Sequence, residues 1–185
     1  MTMVQDVICL ALRFANRQSA ATNLENGTMT DEEQNAVNTM LHCYNAIENE
    51  LARTYFPLVK KEELTLTDGK IYYSELTYAP VKILGITSKN KPVKYRLTPT
   101  YAQTNAKNVT VEYSYCPDKK DIDGECEVAL KVGESLLAYG VLAEYYLILG
   151  NTDESEEWER KYRDAADVAR SLAPLKRYIP ARRWV

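Results

Sequence analysis

Val109-Thr-Val-Glu-Tyr-Ser-Tyr115 alternates apolar or aromatic side chains with polar ones without a break. Successive side chains of an extended chain leave on opposite sides, so this period of two predicts a strand with one buried face. Upstream the pattern recurs: Leu64 and Leu66 alternate with Thr65 and Thr67, then come Val81 and Ile83, then Val93, Tyr95 and Leu97. Asp68-Gly69 suits the positive φ angles of a type I′ hairpin turn, and Lys89-Asn-Lys91 reads as another turn. Residues 63–115 therefore predict strands of a half-buried antiparallel sheet.

On either side the period becomes helical. Residues 3–16 predict a first helix that is apolar on nearly every side, which calls for burial all round. Residues 17–29 are polar and read as a loop. Thr30 and Glu33 have capping-box spacing, opening a helix over 30–55 that Pro57 ends. Val37, Leu41, Tyr44, Ile47, Leu51 and Tyr55 form its apolar stripe, with Asn38, His42, Asn45 and Asn49 on a solvated face.

After an acidic turn at 117–124, a long helix is expected over 125–149, with Gly150 as its C-cap. Gly133, Gly140 and Leu147 fall on one face of it, which predicts a close-packed neighbouring backbone there. A last helix over 152–172 carries Trp158, Tyr162, Ala165, Ala169 and Leu172 on its apolar stripe. Glu156 with Arg160, and Glu159 with Arg163, sit at i,i+4 spacing on its outer side. The expectation is one α+β domain over 1–173: a helix pair, a central antiparallel sheet region, a second helix pair, and an extended docking tail over 174–185.

Composition narrows the function classes. The 185 residues suit one domain, 45% hydrophobic and 26% charged, and a net charge of −3 argues against a generally basic nucleic-acid coat protein. Cys9, Cys43, Cys116 and Cys126 lie far apart without a Cys-x-x-Cys pair, so reduced thiols are expected. No Lys or Arg precedes the apolar run Val7–Leu12, which fails as a signal peptide. Leu136–Leu149, interrupted by Glu144, is shorter than the roughly 20 residues a bilayer span takes.

Motifs of bond-making chemistry are missing from the sequence. The seven glycines are scattered and form no phosphate loop. His42 is the only histidine, and its neighbour Cys43 leaves a helix about 100° away, so the two do not face each other. Aligning Asp123-Gly124 with a calcium loop puts Lys119 and Leu130 where the first and last oxygen ligands belong. No catalytic residue, cofactor or metal is expected.

Two features point towards binding. Fourteen Tyr stand against two Phe, and Tyr72, Tyr73, Tyr78, Tyr95, Tyr101, Tyr113 and Tyr115 fall in the sheet region. Tyrosine suits surfaces that are wet before binding and buried after it, and it is equally a good strand former. Second, Ala173-Pro-Leu-Lys-Arg-Tyr-Ile-Pro-Ala-Arg-Arg-Trp-Val185 cannot form a regular helix through its two prolines. Leu175, Arg177, Tyr178, Ile179, Arg182, Arg183 and Trp184 are of the types that anchor interfaces, and these seven are the candidate interface contacts. From residue 160 onward eight Lys or Arg face two Asp, whereas residues 117–159 hold twelve acidic residues and three lysines. This separation would steer a tail towards an acidic surface.

The layout resembles the head–tail connector, or adaptor, proteins of tailed bacteriophages. The resemblance lies in two N-terminal helices and a Tyr-rich sheet ending in Val109-Thr-Val-Glu-Tyr-Ser-Tyr-Cys-Pro117. It continues with Leu137-Ala-Tyr-Gly-Val-Leu-Ala-Glu-Tyr145, with Glu157-Trp-Glu-Arg-Lys-Tyr162, and with the arginine- and aromatic-containing tail. It implies a virion neck protein assembled in the host bacterial cytoplasm. Such proteins form a ring, typically dodecameric, of neighbouring copies beneath the portal protein. They extend the channel for double-stranded DNA without reading its sequence and offer a platform for tail or nozzle proteins. The alternatives are a DNA-binding module using the basic C-terminal segment, another neck or tail completion protein, and a hydrolase whose site is assembled only by the fold.

Overall fold

The central strand of the fold is the alternating stretch itself. The computed structural model describes residues 2–172, and β7 (Asn108–Tyr115) lies between β1 (Leu58–Thr65) and β3 (Pro80–Ser88), antiparallel to both. Val109, Val111 and Tyr113 are buried, as the period of two requires. β4 (Lys91–Pro92) completes this four-stranded sheet in the order β1-β7-β3-β4. A second, three-stranded sheet has the order β2-β6-β5, from Lys70–Tyr72, Tyr101–Thr104 and Tyr95–Leu97. One apolar cluster, including Ile71, Ile83, Ile86, Ala102 and Val111, joins the two sheets.

Of the two turns read from the sequence, the one at Lys89-Asn-Lys91 forms, and the one at Asp68-Gly69 closes no hairpin. Lys89 and Asn90, at φ 50° and 60°, form the two-residue turn joining β3 to β4. Asp68-Gly69 makes no hairpin, because β1 pairs with β7 while β2 pairs with β6. It carries the chain from one sheet to the other, with the Asp68 carboxylate accepting the Lys70 N–H at 3.0 Å.

The helices pack into a second, larger cluster. α1 (Val4–Phe14) buries Val4, Val7, Ile8, Cys9, Ala11 and Leu12. The stretch expected as a loop at 17–29 contains α2 (Gln18–Asn26), whose Ala20, Ala21 and Leu24 are buried in the helical cluster. Two alanines and one leucine are too little apolar surface to stand out in a polar sequence, and the Arg13–Glu25 ion pair ties this short helix to α1 at 2.5 Å. α3 (Asp31–Glu50) starts with the expected reciprocal cap: the Glu33 N–H donates to Thr30 Oγ1 at 3.3 Å, and the Thr30 N–H to Glu33 Oε2 at 2.9 Å. It leaves through a wider π-helical turn, Leu51–Tyr55, just before Pro57. Asn45, expected on the solvated face, is buried: its Nδ2 donates to the Lys120 carbonyl at 3.0 Å, and its Oδ1 accepts the Lys120 N–H at 2.6 Å.

The long helix expected over 125–149 is broken in two. Gly133, at φ 79°, separates α4 (Ala129–Val132) from α5 (Glu134–Ile148), a backbone conformation that side chains with a Cβ rarely adopt. The supposed glycine stripe therefore does not exist. Gly140 alone marks a close approach, to side chains rather than backbone: an added Cβ would lie 2.8 Å from Ile47 Cγ2 on α3 and 3.1 Å from Tyr162 Cδ2 on α6 (Thr152–Leu172). On α6, Glu159 pairs with Arg163, and Glu157 pairs with Lys161 at 2.9 Å where Glu156 with Arg160 was expected. The acidic stretch 117–124 serves the start of α1 rather than the helix after it. Its Gly124 and Ile122 carbonyls accept the Val4 and Gln5 N–H groups at 2.9 and 3.0 Å.

Gly140→Ala should destabilise the fold despite alanine's higher helix propensity. The gain is about 1 kcal/mol, while a methyl pushed against a buried β-branched side chain costs about 1–3 kcal/mol. Urea unfolding of the variant checks this; a more stable protein would show that α3 and α6 are not in close contact with α5.

Candidate docking surface

The helical cluster and the sheet cluster meet along a seam, and part of that seam is left open. The π-helical turn delivers Tyr55, Phe56 and Pro57 to one wall, and β1 contributes Val59. α4 adds Lys131 and Val132, and the end of α6 adds Asp164, Ala165, Val168, Ala169 and Leu172. Leu84 reaches the groove because β3 is bulged: Ile83 pairs with Tyr113 and Gly85 with the adjacent Glu112, leaving Leu84 as the unpaired extra residue. A bulge of this kind re-aims a side chain.

The open space is about 1090 Å³. Its apolar side chains are wet: Val59 is 46% exposed, Leu84 44%, Val168 59% and Leu172 78%. Small-molecule clefts of roughly 300–1,000 Å³ carry several convergent polar groups that orient a ligand. Here the charged side chains of the lining are Asp164 and Lys131, and the Lys131 ammonium already donates to the Pro57 carbonyl at 2.7 Å. Burial pushes the Lys131 pKa down. A wide apolar groove with so few polar anchors fits a polypeptide better than a metabolite.

The other concentration of polar groups is structural. Glu48 is 1% exposed on α3, and its Oε1 accepts the Glu127 N–H at 2.9 Å. Burial raises its pKa, while backbone N–H groups of Glu127 and Val128 and the Lys120 charge act against that rise. Lys120 pairs with Glu127, whose second oxygen accepts the Tyr115 hydroxyl at 3.1 Å. The Tyr44 hydroxyl lies beside Cys126 and Glu48, but no neighbour meets hydrogen-bond geometry. Burial pushes the Cys126 and Cys43 thiols to about 11, which keeps them protonated and unreactive at neutral pH. His42 stands exposed on α3. Among the described residues no three His, Cys, Asp or Glu side chains converge as metal ligands, and no helix is long and apolar enough to cross a membrane.

The predicted contact residues Leu175, Arg177, Tyr178, Ile179, Arg182, Arg183 and Trp184 lie outside the described residues. What the structure brings together instead is the groove at whose rim the described chain ends. Val168 lies off the apolar stripe expected for the last helix, and the bulge that exposes Leu84 has no sequence signature. The one legible signal was Leu172, a stripe residue one turn beyond Ala169 with nothing of the helical core left to cover it. The tyrosines divide. Tyr113 is buried with its hydroxyl on Glu62 and its pKa raised to about 12, mainly by burial. Tyr78 stacks on Tyr115 at 4.3 Å, and Tyr95 is exposed.

A carboxyl whose pKa is higher in the folded than in the unfolded state favours the fold when protonated. Glu48 should therefore lose stabilising effect as pH rises from the unfolded value near ~4.3. The stability of Glu48→Gln relative to the wild type should rise with pH over this range, measured by urea unfolding between acid and neutral pH. A gap that stays flat or shrinks would show that burial does not raise the Glu48 pKa in the fold.

No protein-family model matches the chain, and no curated protein matches it in sequence.

Proposed function

We propose that the protein is a non-enzymatic assembly component of the head–tail adaptor kind, docking as a ring on a portal and giving tail proteins a platform. The observation that carries this reading is the open apolar groove between β1, the β3 bulge and the end of α6. A stable monomer with no partner gains nothing from Leu84 and Leu172 in water, whereas an assembly unit needs such a surface. The charge distribution supports it. Residues 173–185 hold four Lys or Arg and no Asp or Glu; with −3 for the whole chain, the remainder carries −7. A body of that charge repels DNA phosphates, so DNA in this reading passes a channel wall and is not gripped.

The adaptor reading makes the 174–185 segment and the groove two halves of the docking apparatus. Deleting residues 174–185 should abolish co-sedimentation with the cognate portal ring while circular dichroism and the melting transition persist. Undiminished portal binding by the shortened chain would overturn the role given to the segment. Failure of the full chain to join any portal ring would overturn the adaptor reading itself.

A further inference from the structure

We propose that a small acidic cleft between α3, α5 and α6 binds the guanidinium head of an arginine side chain presented by another polypeptide. The cleft holds about 240 Å³. That is below the roughly 300–1,000 Å³ of sites for whole small molecules and suits a single side-chain head. Three helices each bring one carboxyl to it: Glu50 ends α3, Glu144 lies on α5 and Glu159 on α6. Arg163 is the one basic side chain of the lining among the described residues, and it is already paired with Glu159. Burial, with the charges of Glu144 and Glu159, raises the Glu50 pKa, and Arg163 acts against that rise. The lining repels itself, and a second cation would relieve it. Tyr162 is an independent sign of a missing ligand. It is 5% exposed, and its hydroxyl has no hydrogen-bond partner. Burial, then the neighbouring Glu50, Tyr55 and Glu144, raise the pKa of that hydroxyl, which therefore lies among residues that line the cleft. A buried polar group left unpaired calls for an explanation, and a ligand N–H supplies one that the acidic lining also favours.

Geometry selects the cation. Among the described residues no three carboxylates converge as metal ligands, so a bare divalent ion would not find its shell of oxygens. A guanidinium carries five N–H donors in one plane and reaches acceptors on separate elements at once, whereas an ammonium is a compact point charge. Tyr55, also in the lining, is an aromatic side chain of the kind that guanidinium groups stack on. Leu147, 55% exposed, offers apolar surface to the methylene stem behind the charged head. A free amino acid would carry its own carboxylate towards three others. An arginine within a polypeptide brings the charge without that repulsion. The site does not depend on the adaptor reading, and its test needs no portal.

Isothermal titration calorimetry of the full chain with N-acetyl-arginine amide tests the site, at low ionic strength because salt screens partly exposed charges. Saturable binding is expected. The citrulline counterpart, which keeps the shape without the charge, should bind about tenfold more weakly. Free arginine should also bind more weakly than the blocked form. Glu144→Gln should weaken the blocked arginine about tenfold. Tyr162→Phe should weaken it as well, yet leave the melting temperature at or above that of the wild type, because the deleted hydroxyl has no partner in the free protein. Absence of saturable binding by the blocked arginine would overturn the proposal. Equally tight binding of blocked lysine would overturn the guanidinium assignment, and equally tight binding of free arginine would overturn the polypeptide source. Binding untouched by both substitutions would place the site elsewhere and overturn the assignment to this cleft.

Discussion

The fold depends on how its helical cluster is fastened to its sheet cluster. The two apolar cores share Tyr115, and its β1 partner Leu58 is buried in the helical one, so the sheet is fastened at this end, where the Tyr115 hydroxyl also donates to Glu127. Asn45 holds both the N–H and the carbonyl of Lys120, and Glu48 holds the N–H of Glu127. These bonds pin the irregular segment after β7, and that segment in turn supplies the carbonyls on which α1 begins. A buried carboxyl is costly unless it is satisfied, and a pinned segment with no helix or strand of its own leaves its peptide groups unpaired without such partners. Each cost is removed by the other.

The same seam explains the groove. A helix layer and a twisted sheet cannot match along their whole length. Where α3 widens into its π-helical turn and β3 bulges, the surfaces diverge and leave an apolar gap. Evolution commonly fills such gaps with a bulky residue or a loop. Here α6 continues past the body so that Val168 and Leu172 extend the apolar wall instead of closing it. The gap therefore remains a wide apolar groove among the described residues.

What was legible in the sequence follows from what is local. The period of two in Val109–Tyr115 and the Thr30–Glu33 cap are contests among neighbouring residues, and both appear as expected. The α+β class with a helix pair at each end follows from the same patterning. What was not legible depends on distant partners. α2 is stabilised by α1, Asn45 is buried because Lys120 arrives from 75 residues away, and Gly133 breaks a helix whose apolar pattern runs on through it. The groove belongs to this second group. The run of Trp, Tyr and Arg over 174–185 was visible in the sequence, whereas the groove is walled by a bulge and a helix end that only the packed fold brings together.

Residue-resolved hydroxyl-radical footprinting of the full-length protein, alone and with the cognate portal ring, tests whether this groove is a docking surface. Leu97 and Ile148, exposed 52% and 61% and distant from the groove lining, are internal standards for open leucine and isoleucine. The account predicts that Leu84 and Leu172 lose reactivity relative to those standards when the portal ring is added. Unchanged oxidation of both leucines in the presence of the portal ring would contradict it, because the groove would then stand open to water in the assembly.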